Sequence, residues 1–382
     1  MPDVGTADMA GCRRSAGPGF SLRGIALFLD LPPISAVSAT PSPSSRSVPP
    51  ETVFVTGGTG FVGSHLVEEL LRRGVETVRC LVRSDPKWLA DLDVEVVRGD
   101  LSDVETLWTA LDGVDTVYHV AGITRAEDMA TFERVNVQGT LNLMGAVKHA
   151  APDLERVLVT SSLAAVGRCE QEMATEDVPL RPVSRYGRSK AQMEAALRDP
   201  HDMTTSYAEA LPLTIVRPPA VYGPRDRDIL DFFRAVQQHV CPVVGWGSEP
   251  AVSLLHVRDL VRGMVDLATA PAAVGNTYFL SSNAPYAWND VKAAATEALG
   301  TWAVTVPVPG PLVGAVGAAA EGWGRLTGSY PPLNRDKTRE IRFGCTMCSH
   351  EKAAAAIGFE QQISLDEGVR TTIDWYRTHG WL

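Results

Sequence analysis

Val53-Phe-Val-Thr-Gly57-Gly58-Thr-Gly60-Phe61-Val-Gly63-Ser-His-Leu66 places a glycine-rich turn between an apolar run of strand length and an amphipathic helical run. Glycine has no Cβ, so such a turn bends tightly and lets the backbone approach a pyrophosphate, while the next helix offers unsatisfied N–H groups to the anion. The order strand, turn, helix predicts a dinucleotide site built on Gly57, Gly58, Gly60, Phe61 and Gly63. Outward from this turn the cycle repeats. Strands are predicted near Thr52–Thr56, Thr77–Val82, Val94–Arg98, Thr116–Val120, Arg156–Thr160 and Leu213–Val216, with helices at Ser64–Arg73, Val104–Leu111, Phe132–His149 and Ser189–Leu197. Strands alternating with helices predict an α/β fold, a Rossmann doubly wound parallel sheet.

After about Val221 the cycle weakens into Pro- and Gly-rich connections, which predicts a smaller C-terminal substrate-binding subdomain. The expected organisation is a disordered tail over 1–50, a dinucleotide-binding domain over 51–220, and a mainly substrate-binding part over 221–382 partly interleaved with the sheet. The tail follows from small residues, Ser and Pro, with too little periodic apolar content to pack a core.

A 382-residue chain that is 45% hydrophobic and 21% charged buries a sizeable core. Its net charge of −10 argues against nucleic acid or an anionic membrane as partner, because both are captured by clustered Lys and Arg. A small organic substrate is expected. The six cysteines, Cys12, Cys80, Cys169, Cys241, Cys345 and Cys348, are too sparse for a disulfide scaffold, and a reducing, cytoplasmic location is expected. Gly24-Ile-Ala-Leu-Phe-Leu-Asp30 leaves a signal peptide or organelle address as the alternative. Cys345-Thr-Met-Cys348 has the spacing of a redox or metal pair, but no second pair accompanies it, so two ordinary thiols and no metal are expected. No stretch reaches the roughly 18 consecutive apolar residues of a spanning helix. The nearest, Val308 to Ala320, is read as lining an apolar pocket or touching a membrane surface.

Twenty residues past Gly63, where an acidic side chain would hold a ribose 2′-hydroxyl, stands Arg83 in Cys80-Leu-Val-Arg83-Ser-Asp85-Pro-Lys87. A guanidinium fork suits a 2′-phosphate that a carboxylate would repel, so NADP(H) is favoured over NAD(H), with Lys87 as second cation. The competing reading is a solvated Arg83 with Asp85 in the ribose role.

Tyr186-Gly-Arg-Ser-Lys190 puts a phenol and an ammonium four residues apart, on one helix face. A free phenol has a pKa of about 10, and a nearby cation is expected to lower it by favouring the phenolate. Lys190 is also expected to hold the nicotinamide ribose. Ser162 closes a strand at the carboxyl edge of the sheet, where α/β folds bind ligands, and its hydroxyl is suited to orient a substrate oxygen.

Thr56-Gly-Gly-Thr-Gly-Phe-Val-Gly63, Gly99-Asp100-Leu101, His119-Val-Ala-Gly122, Asn136-Val-Gln-Gly-Thr140, Ser161-Ser162 and Tyr186-x3-Lys190 resemble the successive motifs of extended short-chain dehydrogenases/reductases. The resemblance runs from about Val53 to the C-terminus. It implies that Asp100 and Leu101 meet the adenine side, that Val120, Ala121 and Gly122 pass the cofactor ribose, and that Pro218 lies against the cofactor. Asn136 would support a proton relay through a helix-bound water, completing a site of Ser162, Tyr186 and Lys190. Ser162 is preferred to Ser161 by its place before Leu-Ala-Ala-Val-Gly167. Homodimers through paired helices are common in this group.

Ala220, in Arg217-Pro218-Pro219-Ala220-Val-Tyr-Gly-Pro224, stands where sugar-nucleotide enzymes of this type usually carry an Asn, and Val252 where they often carry a diphosphate-binding Arg. Together with the endings Cys348 to Phe359 and Ser364 to Tyr376, this is similar to the branch of 3β-hydroxysteroid dehydrogenases and dihydroflavonol reductases. The implied reaction interconverts a ketone and a secondary alcohol on a fairly apolar molecule. Two alternatives stay open: an NAD-dependent sugar-nucleotide epimerase or dehydratase, and a non-catalytic dinucleotide-binding regulator. The loops between Tyr222 and Ser253 and between Pro307 and Leu333 are expected to shape the pocket. Trp246, Trp288, Trp302 and Trp323 are read as packing residues in preference to pocket lining, and His256 as a brace for the loop after its strand.

Overall fold

The computed structural model describes residues 50–200, 204–244, 251–309, 315 and 335–382. The expected N-terminal tail therefore lies outside them except for Pro50, as do Cys12, Trp246, Trp323 and most of the Val308 to Ala320 run.

The central sheet has seven strands, all parallel. They are β1 (Thr52–Thr56), β2 (Thr77–Val82), β3 (Glu95–Arg98), β4 (Thr116–His119), β5 (Arg156–Thr160), β6 (Leu213–Arg217) and a last strand, Thr277–Phe279. Their spatial order is last-β6-β5-β4-β1-β2-β3, so the order reverses between β1 and β4 and opens a crevice at the carboxyl ends of those strands. The predicted fold class is borne out. The seventh strand was missed because three residues are too short to print a pattern.

Apart from the edge strand β3, which is mostly exposed, the strands are apolar on both faces because both are covered. On one side α1 (Phe61–Arg72) and the helix Val257–Thr269 bury Val53, Val55, Leu66 and Leu70 with Leu260 and Met264. On the other, α2 (Val104–Leu111), α4 (Gly139–Ala150) and α5 (Arg185–Arg198) bury Phe54, Val117, Leu107, Leu143 and Met193. A third core gathers the helices Asp228–Gln237, Trp288–Leu299 and Leu365–Thr378 around Phe233, Val291 and Tyr376.

Two helix boundaries differ from expectation in ways that matter to the site. The run expected over Phe132–His149 is broken into a short α3 (Met129–Phe132), a π-helical turn over Glu133–Gln138 that carries Asn136, and α4. The helix expected from Ser189 begins at Arg185, because the Ser184 hydroxyl accepts the Gly187 N–H at 2.9 Å and caps it. Tyr186 and Lys190 thus share one helix.

Candidate active site

The glycine turn closes against the chain leaving β4. Gly57 has φ +80°, and a Cβ there would sit 2.6 Å from the Ala121 nitrogen; one on Gly63 would sit 2.1 Å from the Gly57 carbonyl oxygen. No side chain caps α1 at Gly60, so its first N–H groups are left to an anion. A dinucleotide phosphate fits this cradle. Gly57, Gly60, Phe61 and Gly63 line one end of a cavity of about 1980 Å³, together with Arg83, Lys87, Asp100, Leu101, Val120, Ala121, Gly122 and Pro218. Gly58 is the exception among the predicted glycines, facing Leu89, Cys80 and Val67 at the core side of the turn. Asp100 Oδ1 accepts the Ser102 N–H and hydroxyl, which shapes the rim of the cavity there.

Arg83 is exposed at the end of β2 and lines the cavity. The Asp85 carboxylate accepts the Lys87 backbone N–H at 2.9 Å and is not part of the lining. Of the two readings of this loop, the geometry therefore turns Arg83 and Lys87, not Asp85, toward the cavity.

Tyr186, Lys190, Ser161 and Ser162 line the same cavity. The Tyr186 phenol is hydrogen-bonded to Ser162, whose Oγ also accepts the Ala164 N–H at 3.1 Å. The Ser161 hydroxyl donates to Glu194 Oε1 at 2.6 Å, so the two serines are divided between the phenol and the buried Glu194. The Lys190 ammonium donates to the Thr160 carbonyl at 2.8 Å and lies beside Gly122, whose Cβ would stand 3.3 Å from Nζ.

Desolvation pushes the Tyr186 phenol up to about 12; the Ser162 hydrogen bond opposes this, and the charges of Glu340 and Asp228 add to it. The lowering expected from a cation one helical turn away is overturned, because burial dominates and two carboxylates act on the phenol. Burial also lowers the Lys190 ammonium to about 8, against the pull of Glu194.

Asn136 is buried and does not line the cavity. Its Oδ1 accepts the Ile123 N–H at 2.8 Å, and its Nδ2 donates to the Ile123 carbonyl at 3.0 Å and to Ser189 Oγ at 2.9 Å. It ties the chain leaving β4 to α5. Behind it, His119 bridges Thr56 Oγ1 and Thr140 Oγ1 at 2.7 and 2.8 Å, its burial holding the imidazole near 3 and so neutral. His256 caps the helix Val257–Thr269 through the Arg258 N–H and is buried against Tyr222. It lies outside the cavity lining, as a brace would.

Trp288 lines the cavity, correcting the packing reading, whereas Trp302 is exposed and stacks on His239. Trp88 and Trp381 line it too and were not singled out from sequence. Nor was the buried Glu194–Arg217 pair, although Glu194 follows Lys190 by one helical turn. Cys345 and Cys348 are free thiols, and no cluster of metal-ligating residues occurs among the described residues. No helix among them is long and apolar enough to cross a membrane.

Residues 53–281 match the model of the NAD dependent epimerase/dehydratase family. The ceramide reductase of Caulobacter vibrioides is 32% identical over 335 residues, covering 86% of this chain and 96% of that protein. A 3 beta-hydroxysteroid dehydrogenase/Delta 5-->4-isomerase of Mycobacterium tuberculosis is 27% identical over 341 residues, covering 85% and 90%. The solved structure of MoeE5 in complex with UDP-glucose and NAD superposes with a TM-score of 0.65 at 26% identity, over 86% of this chain and 99% of that one. With its sheet order, glycine cradle and Tyr-x3-Lys helix, the chain belongs to the NAD dependent epimerase/dehydratase family, within the extended short-chain dehydrogenases/reductases, and is an oxidoreductase of that group.

Proposed function

We propose that this oxidoreductase interconverts a ketone and a secondary alcohol on a bulky, largely apolar molecule, with NADP(H) as cofactor. The observation that carries the reading is the wall facing the Ser162 and Tyr186 side chains. Away from the glycine cradle, the cavity is lined by Ala220, Ile229, Phe232, Val252, Leu254 and Trp288. Of the cations around it, Arg125 pairs with Asp228, Arg225 with Glu68 through one nitrogen and Lys337 with Glu340, while Arg227 lies over the Trp381 ring. The apolar area decides the reading, since an apolar body gains roughly 25 cal/mol for each Å² it removes from water. The names of the relatives, a ceramide reductase and a steroid dehydrogenase, agree with such a substrate. Most of this wall comes from residues 221–382, which supports the division into a dinucleotide-binding and a substrate-binding part.

When bound, the nicotinamide supplies or accepts the hydride. The chain's residues then handle the oxygen. Ser162 Oγ holds it, and the Tyr186 phenol gives its proton to it in the reductive direction, or takes that proton back in the oxidative one. The Lys190 ammonium lies on the same helix face and stabilises the phenolate that forms. Arg83 and Lys87 face the adenine-ribose end, where a 2′-phosphate would accept their hydrogen bonds.

Two measurements test this. In fluorescence titrations NADPH is expected to bind at least tenfold more tightly than NADH, and Arg83→Glu to weaken NADPH by at least about tenfold while sparing NADH, since a hydrogen bond to a charged group contributes about 1.5–3 kcal/mol. A preference for NADH untouched by the substitution would overturn the cofactor assignment. In a panel of long-chain ketones, 3-ketosteroids and UDP-sugars, NADPH oxidation is expected with the apolar ketones. Turnover of the UDP-sugars alone would replace this reading with sugar-nucleotide chemistry, and binding without turnover of anything would point to a regulator.

A further inference from the structure

We propose that the helix Arg335–Phe343 acts as a positioning element for the catalytic tyrosine, with Asp336 and Glu340 fixing the start of the catalytic helix and setting the charge beside it. The proposal rests on Tyr186 being the acid–base group. Its basis is a set of contacts 150 residues apart in sequence. Asp336 Oδ1 and Oδ2 accept the Arg185 N–H at 2.7 and 2.9 Å, and Oδ2 accepts the N–H of Tyr186 itself at 3.4 Å. One turn on, Glu340 Oε2 accepts the Ser184 hydroxyl at 3.1 Å, the hydroxyl that caps α5. Asp336 and Glu340 are four residues apart and so present one face to the N-terminus of α5.

A helix N-terminus carries about half a positive charge and several unsatisfied N–H groups, so two carboxylates at this point both neutralise the dipole and satisfy donors. The same helix also borders the cavity that Tyr186 lines, through Lys337, Glu340 and Ile341. One element thus touches the proposed substrate space and sets the start of α5, and Glu340 takes part in both. The groups that act on the Tyr186 phenol are Ser162 after β5, the Phe132 ring of α3, Asp228 with its partner Arg125, and Glu340 with its partner Lys337 from this helix; Asp336 meets the Arg185 and Tyr186 backbone, and Lys190 follows one turn along α5. Asp228 and Glu340 oppose ionisation of the phenol, so loss of the Glu340 charge favours the phenolate.

The test uses the full chain with Asp336→Ala, Asp336→Asn, Glu340→Gln and Tyr186→Phe. In Asp336→Ala, hydrogen exchange of the Arg185 and Tyr186 amides is expected to accelerate at least about tenfold; Asn, itself a good capping side chain, is expected to restore protection. On the best ketone of the panel, Asp336→Ala should lower kcat about tenfold with KM and NADPH affinity within about twofold, since misplacement of a catalytic group acts on turnover. In Glu340→Gln the pH–rate curve for oxidation of the corresponding alcohol, which needs the phenolate, should move to lower pH by about half a unit or more. Unchanged amide exchange in Asp336→Ala, or an unmoved curve in Glu340→Gln, overturns the proposal. Should Asp336→Ala fail to fold, exchange in Asp336→Asn and the Glu340→Gln curve still decide it. Tyr186→Phe separates the two levels: full activity in that variant refutes the acid–base role itself, whereas an inactive Tyr186→Phe beside unaffected Asp336 and Glu340 variants refutes only the helix.

Discussion

Tyr186→Phe is expected to lower kcat for ketone reduction by about 10³-fold while NADPH binding stays within about twofold. General acid catalysis by a placed side chain contributes about 10²–10⁴-fold, and the substitution removes only the hydroxyl proposed to perform it. The ring remains, with its tilted contact to Phe132 at 6.4 Å, so the fold should not change. The pH dependence has a worked direction. Reduction needs the phenol protonated, and burial holds it up to about 12, so Tyr186 itself sets no alkaline limb in the ordinary range. Lys190 is brought down to about 8, and the ammonium proposed to stabilise the nascent phenolate is lost as pH rises through that value. Reduction is therefore expected to fall above about pH 8, and in Lys190→Met to be low at every pH with no such limb. Stopped-flow single turnovers with NADPH measure the chemical step apart from binding. Wild-type rates in Tyr186→Phe would remove the phenol from the mechanism.

How legible this was from sequence depends on whether a feature is local. The glycine turn, the Arg83 loop and the Tyr186–Lys190 spacing are set within a strand, a turn or one turn of helix, and each was readable as a pattern with a physical reason. The six sheet strands longer than three residues were readable for the same reason: five are buried parallel strands rich in Val and Leu, and the exposed edge strand β3 still carries the short Val96-Val97 pair between turn signals. What was not legible depends on residues distant in the chain. The break of the helix near Asn136 answers to Ile123 and Ser189, which hold its side chain from two other segments. The start of α5 at Arg185 answers to Asp336, 151 residues away. The wrong sign for the Tyr186 phenol has the same origin: the cation that would lower it is on its own helix, but the burial and carboxylates that raise it come from the surrounding fold. Pocket aromatics such as Trp88 and Trp381 carry no local signature at all.

The second large effect is expected at Glu194, in a layer of the site with no contact to the cavity. Glu194 is fully buried on α5, one turn beyond Lys190, and receives the Arg217 guanidinium in a two-point pair, Nε to Oε1 at 2.8 Å and Nη2 to Oε2 at 2.7 Å. Its Oε1 also accepts the Ser161 hydroxyl, so one carboxylate joins the catalytic helix, the end of β5 and the end of β6. Burial alone would raise its pKa, but the hydrogen bonds and charge of Arg217 outweigh this and hold the carboxyl below the usual glutamate range. A folded-state pKa below the unfolded one means that the pair's contribution is complete above the ordinary glutamate value and is lost as pH falls through the lower, folded one. Glu194→Ala leaves Arg217 buried without its partner, and breaking such a pair from one side costs about 3–5 kcal/mol. Replacing both, Glu194→Leu with Arg217→Met, removes the stranded charge along with the pair and should recover most of that loss. Equilibrium denaturation at neutral pH reads both variants. Because the pair also anchors the strand end beside Ser162, the double variant is expected to regain stability while its turnover stays depressed. A double variant no more stable than Glu194→Ala would mean that the cost lies in packing around α5 and not in the unpaired guanidinium.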